Sequence, residues 1–235
     1  AIGGEDCGQH NRRHAPFPPR LTLDEQDADG KVEASGRMVQ VVRPFQVLRN
    51  HPYAVQDLKE TKRISPKSVG SCMTCKSANL IDIFKEKGWG YGKTPLFDLL
   101  PLLKHPITCA NCHDPETMKL RVINPAFVEA MANRGIDVKK ATREEMRSYV
   151  CGQCHVEYYF QPETQKVIFP WQNGMKPDEM YAYYAGQPFG FAQDWVHPDS
   201  QSKMLKAQHP EFETWSNGVH GKAGVSCADC HMPFM

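Results

Sequence analysis

Apolar side chains recur at helical spacing in two segments of the chain. The first covers residues 77–87 and stops at Gly88, and the second covers residues 126–133 and stops before Gly135. Glycine is common just after the last turn of a helix because it adopts the left-handed backbone conformation without strain. The pattern therefore predicts two short helices, one in each segment.

Polar residues mark the start of two further predicted helices. Thr142 has Glu145 three residues after it, which is the capping-box pattern, and apolar positions continue from there to the third pair of cysteines. Asp178 after Pro177 starts a shorter helix that ends near Gly186. Together the four segments predict a mainly α fold with few strands.

The first 44 residues have a different pattern. Prolines are frequent there, residues 27–30 read Asp-Ala-Asp-Gly, which is typical of a turn, and residues 37–42 favour a short strand. We expect residues 1–44 to form an irregular N-terminal arm and residues 45–235 to form one domain.

Composition limits the classes of function. Hydrophobic residues make up 40% of the chain and charged residues 23%, as in ordinary globular proteins. Lys and Arg number 28 against 27 Asp and Glu, so no charge excess indicates a nucleic acid or an anionic membrane as partner. The longest apolar stretch, residues 96–103, is broken by Asp98 and Pro101, and we expect no transmembrane segment.

Eight of the nine cysteines form C-x-x-C pairs, and only Cys7 is left over. Histidine follows three of the pairs directly, which is the attachment pattern of c-type haem, and lysine follows the first. The four motifs are Cys72/Cys75 with Lys76, Cys109/Cys112 with His113, Cys151/Cys154 with His155, and Cys227/Cys230 with His231. They predict four haem c groups attached to this chain and a core packed around covalent haems.

Zinc binding and disulfide pairing are the alternative interpretations of the cysteines. Two C-x-x-C pairs can make a four-cysteine zinc site. Neither alternative explains why histidine follows the pair three times, whereas a haem needs two thioether anchors and an adjacent axial nitrogen. Haem attachment is therefore the favoured interpretation. No leader pattern precedes the motifs, and bacterial haem attachment outside the cytoplasm predicts a periplasmic protein.

Lys76 is the most informative departure from the repeated pattern. An amine binds iron only after losing a proton, although its ordinary pKa is about 10.4. Such a ligand is a poor choice for electron transfer alone, so it indicates a catalytic haem. The alternative is a solvated Lys76 and some other axial ligand on that haem.

Five segments together resemble the pentahaem, ammonia-forming cytochrome c nitrite reductases. Each contains haem-binding or polar residues in the order found in that family. They are Cys-Met-Thr-Cys-Lys at 72–76, Cys-Gly-Gln-Cys-His-Val-Glu-Tyr-Tyr-Phe at 151–160, Lys-Ala-Gln-His-Pro-Glu-Phe-Glu-Thr-Trp at 206–215, His-Pro-Tyr-Ala-Val-Gln-Asp-Leu-Lys-Glu-Thr-Lys-Arg at 51–63 and Val-His-Gly-Lys at 219–222. The resemblance runs from about residue 45 onwards and does not include residues 1–44.

The resemblance implies six-electron reduction of nitrite to ammonium at the lysine-ligated haem. It places Arg63, Tyr158 and His209 around the substrate. Arg63 and a protonated His209 would attract the anion, His209 would deliver protons, and Tyr158 would orient intermediates. Without the resemblance, Arg63 and His209 would be read as surface residues.

The resemblance also implies a calcium ion next to this pocket. Its ligands would be the side chains of Glu157 and Gln208 and the backbone carbonyls of Tyr158 and Lys206. Oxygen ligands of this kind suit a hard cation. One ion would then hold together two segments that carry catalytic residues.

Histidine ligation on both sides is implied for the other haems. His51 corresponds to the distal ligand of the haem at Cys151/Cys154, and His220 to the distal ligand of a fifth haem. No fifth C-x-x-C-H motif occurs before Met235, so we expect the fifth haem and the C-terminal helices of the family in a further stretch of the protein or in another chain. The distal ligands of the second and fourth haems are left open, with His10, His14, His105 and His197 as unassigned histidines.

The resemblance further implies a homodimer fed by a quinol-oxidising membrane cytochrome or by a soluble multihaem donor. Two other functions remain as alternatives: a multihaem electron carrier without a substrate, and a related reductase of hydroxylamine or sulfite. Lys76 favours an enzyme over a carrier, because a carrier has no need of an open iron. Cys7 would be a free thiol or form an intermolecular disulfide.

Overall fold

The computed structural model describes residues 51–190, 195–205 and 207–232, together with two strands before them. The chain divides into two compact units, Ala1–Val47 and Leu48–Met235. In the first unit, strands β1 (Val32–Ala34) and β2 (Arg37–Val39) pair antiparallel. The predicted strand is thus found over 37–39, whereas 40–42, the turn at 27–30 and Cys7 lie outside the described residues. The division of the chain after residue 44 stays a prediction.

Short helices dominate the described part of the second unit. They are α1 (Ala54–Glu60), α2 (Leu80–Lys87), α3 (Leu96–Leu99), α4 (Pro125–Asn133), α5 (Arg143–Gly152), α6 (Pro177–Ala185), α7 (Glu211–Asn217), α8 (Val219–Lys222) and α9 (Cys227–His231). Within the described ranges, no helix is long and apolar enough to cross a membrane. The prediction of a mainly α fold is confirmed.

Helices α2 and α4 confirm the two segments predicted from apolar spacing. Helix α2 begins at Leu80 rather than at Ser77, because the Ser77 hydroxyl donates to the His105 carbonyl and holds the preceding residues in a turn. Gly88, with φ of 53°, ends this helix in the left-handed region. Asn124 caps the other helix, its side-chain oxygen accepting a hydrogen bond from the backbone of the second helical residue.

Helices α5 and α6 follow the predicted capping signals. The Thr142 hydroxyl accepts from the backbone N–H of Glu145 at 3.2 Å, and the Glu145 carboxylate accepts from the backbone N–H of Thr142 at 2.7 Å. Helix α6 starts at Pro177, one residue earlier than predicted, and Gly186 ends it as predicted. Proline suits this first position because its missing N–H would have no partner there.

Strands are few and short in the described part of this unit. Strand β3 (Tyr159–Phe160) pairs with β4 (Val167–Ile168), and β5 (Trp195–Val196) pairs with β6 (Lys203–Met204), both antiparallel. Each strand has two residues, too few to build a layer. Loops between helices therefore carry much of the chain.

Two clusters of buried apolar side chains hold the helices in place. Phe127, Trp171 and Phe212 centre the first, which joins α4, α5 and α7. Leu80 and Tyr91 belong to the second, which surrounds α2 and the first cysteine motif. The Trp89 ring packs against both clusters and so connects them. The cysteine motifs lie on turns and helix ends attached to these clusters.

Candidate haem and substrate site

Each cysteine motif occupies a single helical turn. The backbone N–H of His155 donates to the Cys151 carbonyl at 2.9 Å, and that of His113 donates to the Cys109 carbonyl at 2.7 Å. The fourth motif forms α9, and the first begins in a 3-10 turn at Gly70–Met73. Both cysteines of a pair and the nitrogen ligand after them therefore share one turn, as covalent haem attachment requires.

The eight cysteines of the four motifs all lie within the described residues. All eight are free thiols, and no disulfide joins them. Among the residues that the structure describes, no three Cys, His, Asp or Glu side chains are arranged to hold a metal ion. The donor set of two thiols and one nitrogen on a turn fits a c-type haem.

The other three motifs converge on the third. The Cys75 and Cys154 side chains are in hydrogen-bonding contact, which raises the pKa of Cys154, and contact with Cys227 likewise raises the pKa of Cys151. Cys112 of the second motif lies within electrostatic range of both thiols of the third. The predicted haem-attachment cysteines are therefore close neighbours in space, although they are far apart in sequence.

His113 is held in one tautomer by the backbone. Its Nδ1 lies 2.9 Å from the carbonyl oxygen of Met118, and since a carbonyl only accepts, Nδ1 carries the proton. Met118 has φ of 58°, a left-handed conformation, within the turn that follows the motif. Nε2, which does not take part in this hydrogen bond, is the nitrogen available to a metal.

His155 lies close to two other imidazoles. The His51 ring centre is 6.1 Å from that of His155, and the His209 ring centre is 6.2 Å from it. Two imidazoles on one metal, with bonds of about 2 Å, have ring centres about 6 Å apart, so either spacing fits a shared iron. Removal from water lowers the pKa of His155, which favours the neutral ring that binds iron.

The lysine-bearing motif lies next to the predicted substrate residues. The Lys76 ammonium group is within electrostatic range of Cys75 and His155, and Arg63 is within range of Cys72 and of the Tyr158 ring. Burial raises the pKa of Tyr158, so its phenol keeps its proton and is a hydrogen-bond donor. Arg63 itself is exposed, at the edge of the group.

Tyr158 and His209 are in ring contact. Their centres are 5.6 Å apart in an edge-on arrangement. His209 Nδ1 lies 3.3 Å from the backbone N–H of Val156, which donates to it, and 3.2 Å from a carboxylate oxygen of Glu211. The structure thus brings together the tyrosine and histidine predicted from two distant segments. Glu211 was missed by the sequence analysis, because an acidic residue in the first turn of a helix is common.

Glu157 is buried and joins the two segments directly. Its Oε1 accepts from the Tyr184 hydroxyl at 2.8 Å, and its Oε2 accepts from the backbone N–H of Gln208 at 2.5 Å. Of the other predicted calcium ligands, Tyr158 follows Glu157 directly, whereas Lys206 lies outside the described residues. Tyr184 was missed, since nothing in its own segment indicates a polar partner.

A second buried carboxylate, that of Glu213, lies close to Glu157. It is 1% exposed, and its Oε1 accepts from the Trp171 indole at 2.6 Å and from the backbone N–H of Glu157 at 3.1 Å. Its Oε2 has no hydrogen-bond partner among the described residues. Burial raises the pKa of Glu213 to about 7. Two adjoining buried carboxylates form an oxygen-rich environment that fits a cation.

His220 borders a cleft beside the fourth motif. The cleft is also lined by His155, Trp215, Cys227 and His231. The cleft thus lies between the third and fourth motifs. The assignment of His220 to a fifth haem stays a prediction.

Turns that carry two cysteines and a nitrogen ligand define this protein as a c-type cytochrome. The chain belongs to the cytochrome c552 family, whose sequence profile matches residues 42–235.

Named relatives agree with that assignment. Over 209 residues the chain is 43% identical to the cytochrome c nitrite reductase subunit NrfA of Nitratidesulfovibrio vulgaris, covering 81% of this chain and 40% of the relative. It is 39% identical to cytochrome c-552 of Porphyromonas gingivalis, covering 82% and 40%. The chain therefore spans about 40% of the length of the curated relatives that it matches.

A solved structure shows the same fold. It is the catalytic subunit NrfA of the cytochrome c nitrite reductase from Desulfovibrio desulfuricans, described with two calcium sites. The TM-score is 0.70 at 38% identity, covering 78% of this chain and 44% of that one. The mainly helical architecture is thus shared with a nitrite reductase.

Proposed function

We propose that this chain forms the catalytic part of an ammonia-forming nitrite reductase. The observation that carries the proposal is the grouping of Arg63, Tyr158 and His209 beside the one motif that ends in lysine. Arginine, phenol and imidazole together supply a charge, a hydrogen bond and protons. An electron carrier needs none of these beside its haem. The two Desulfovibrio-type relatives described above are both named cytochrome c nitrite reductases, which supports the same activity.

Cys72 and Cys75 would hold the haem c of the proposed reaction centre, and Lys76 would bind its iron. When bound, this haem supplies electrons and an iron at which the substrate is reduced, six electrons per nitrite. The remaining motifs are proposed to hold three more haems, with His113, His155 and His231 as ligands, and His51 is the proposed second ligand of the third. These haems, when bound, would supply electrons to the proposed reaction centre.

Three side chains are proposed to bind the anionic substrate and to supply protons and hydrogen bonds to it. Arg63 is proposed to bind nitrite and to stabilise the negative charge that develops as the N–O bonds break. His209 passes protons to the oxygen atoms that leave as water, and its Nδ1 is oriented by the Val156 N–H. Tyr158, whose raised pKa keeps it protonated, donates a hydrogen bond to the reacting group.

Calcium is the proposed ion beside this pocket. Glu157 and Gln208 supply side-chain oxygens, and the carbonyls of Tyr158 and Lys206 complete the proposed set. Glu157 already points its carboxylate at the backbone of Gln208, and Glu213, whose Oε2 has no hydrogen-bond partner among the described residues, supplies a further carboxyl oxygen nearby. The calcium sites of the Desulfovibrio desulfuricans relative support this choice of metal.

The wider setting is proposed from the family. A fifth haem, with His220 as its ligand, and the helices of a homodimer would come from sequence outside this chain. Electrons would arrive from a quinol-oxidising membrane cytochrome or from a soluble multihaem donor. The proposed compartment is the periplasm, where c-type haems are attached.

Two substitutions test the activity in the haem-loaded, full-length protein. Arg63→Ala and His209→Ala should each lower the rate of ammonium formation by about 10² to 10³, because each removes a preorganised charge or donor. Lys62→Ala, which removes a neighbouring cation, is the matched control and should change the rate little. Haem content should be normal in all three variants.

Two outcomes would contradict the proposal. If both pocket variants reduce nitrite at the parent rate, the residues do not act on the substrate. If the intact protein transfers electrons rapidly but forms no ammonium, it is a carrier. Hydroxylamine and sulfite, offered in parallel assays, determine the preferred substrate.

A further inference from the structure

A buried glutamine connects two haem-attachment turns. Gln153 lies between the two cysteines of the third motif, and its side-chain N–H groups donate at 3.1 Å to the carbonyls of Asn111 and Val150. Asn111 in turn lies between the two cysteines of the second motif. Gln153 Oε1 accepts from the backbone N–H groups of Ile123 and Asn124 at 2.9 and 3.0 Å. All hydrogen-bonding groups of this 1% exposed amide are therefore used.

Asn124 extends the connection to the first motif. Its Nδ2 donates to the backbone carbonyl of Gln153 at 2.5 Å and lies 3.9 Å from the Cys75 sulfur. The residue is fully buried. One chain of amides thus runs from the second motif through the third to the sulfur that anchors the lysine-bearing haem.

The amide end of Asn124 is not needed to start helix α4. Only Oδ1 serves as cap, accepting from the Ala126 N–H at 2.9 Å. Serine or aspartate caps helices as well as asparagine does. Asparagine alone among them also has two N–H groups, and here one is bonded to the third motif and the other faces Cys75. The two N–H groups of Asn124 therefore serve contacts other than the helix cap.

We propose that Asn124 is a positioning residue that sets the reduction potential of the haem attached through Cys75. The proposal rests on the proposed function of that haem. The sulfur keeps its lone pairs when the thioether bond forms, so it still accepts a weak hydrogen bond. The positive end of an N–H dipole at this edge favours the reduced haem, which carries one more electron. Loss of the donor should lower the potential.

Asn124→Ser is the first test, in the haem-loaded, full-length protein. It keeps a helix-capping oxygen and removes both N–H groups. Asn124→Asp is nearly isosteric, keeps the cap and replaces the donor with an acceptor, so its effect should be larger. Asn217→Ser is the matched control, because the Asn217 amide also donates twice, to the carbonyls of Met175 and Glu213. Among the described residues, no cysteine accepts a hydrogen bond from the Asn217 amide.

The reduction potential of each haem is measured by redox titration, with optical and electron paramagnetic resonance spectra recorded at each applied potential. The signal of the lysine-bearing haem is identified by its change in Lys76→His. At a fixed applied potential, Asn124→Ser should lower the ratio of reduced to oxidised haem at this site by about two- to fivefold, the size of a weak hydrogen bond. The other haems and Asn217→Ser should show no comparable shift.

An unchanged potential in both Asn124 variants, with haem content intact, would overturn the proposal. A shift of equal size at every haem would also overturn it, because it would indicate a general loosening of the fold. If Asn124→Ser fails to incorporate haem, the reduction potential measured in the nearly isosteric Asn124→Asp variant alone tests the proposal. The titration needs no nitrite, so a protein that formed no ammonium would refute the proposed activity and leave this result standing.

Discussion

The Glu157 carboxylate accepts a hydrogen bond from the backbone N–H of Gln208, with 2.5 Å between the two atoms. Each partner is the immediate neighbour in sequence of a proposed catalytic residue, Tyr158 in one case and His209 in the other. The contact joins two segments that are far apart in sequence, and the hydrogen bonds from the Val156 N–H to His209 and from the Glu157 N–H to Glu213 join them as well. The 5.6 Å ring contact between tyrosine and histidine lies beside these three bonds.

Loss of the Glu157 carboxylate should release the proposed calcium and misalign the pocket. We expect Glu157→Ala to lower bound calcium, measured by elemental analysis, and to lower nitrite turnover by about 10- to 100-fold, as for other residues that orient a site. Tyr184→Phe removes one hydrogen bond to the same carboxylate and should have a smaller effect. Normal calcium content and normal turnover in Glu157→Ala would refute the proposed calcium site.

Removal of the ion offers a second measurement on the same site. A chelator should lower turnover in the parent protein, and added calcium should restore it. The same treatment should change little in Glu157→Ala, which has already lost the site. A chelator effect of equal size in both proteins would show that the ion acts elsewhere.

Replacement of Lys76 should alter one haem and leave the others unchanged. Lys76→His supplies an imidazole where the parent has an amine, so we expect the haem to be retained, its spectrum to change and turnover to fall by about 10- to 100-fold. Lys67→His, outside the motif, is the control. An unchanged spectrum in Lys76→His would mean that the lysine is not an iron ligand.

His51 and His209 lie at nearly equal distances from His155, yet different functions are proposed for them. His51→Ala should convert the third haem from a low-spin to a high-spin spectrum, because it removes an axial ligand. His209→Ala should leave that spectrum intact and lower turnover. Electron paramagnetic resonance of both variants separates the two functions, and the opposite pattern would exchange the assignments.

Gly152, between the cysteines of the third motif, has no room for a side chain. A Cβ there would lie 2.3 Å from the Phe212 ring. We expect Gly152→Ala to lower the free energy of unfolding by about 1–3 kcal/mol, as overpacking does. In Gly186→Ala, a new Cβ would meet its nearest atoms at 3.5 Å, so this control should be close to neutral. Denaturant unfolding of both variants and of Gly152→Ala combined with Phe212→Leu, which should recover part of the loss, checks the contact.

Local patterns predicted the helices well. The capping box formed by Thr142 and Glu145 involves only residues close in sequence, and so does the helix end at Gly88. Their hydrogen bonds and backbone conformations can therefore be predicted without knowledge of the fold. The cysteine motifs are local in the same way, since one turn holds all of their chemistry. Where the prediction placed helix α2 three residues early, the error came from Ser77, whose bond to His105 connects distant parts of the chain.

The supporting residues of the site could not be predicted. Tyr184, Glu213 and Gln153 act on partners far away in sequence, and each belongs to a residue type that is common on surfaces and helix ends. Their burial is decided by how α5, α6 and α7 pack, which periodicity does not specify. The proposed substrate and calcium residues were found only because several segments together resembled one family.

Contacts between the attachment cysteines have a consequence for electron flow. Cys154 touches Cys75 and Cys151 touches Cys227, while Cys112 lies near both. The predicted attachment cysteines of the other three motifs thus meet at the third, so the spatial order of the motifs differs from their order along the chain. If haems are attached as proposed, loss of the third would separate the lysine-bearing haem from the other two, whereas loss of the second or the fourth would leave one of them connected to it through the third.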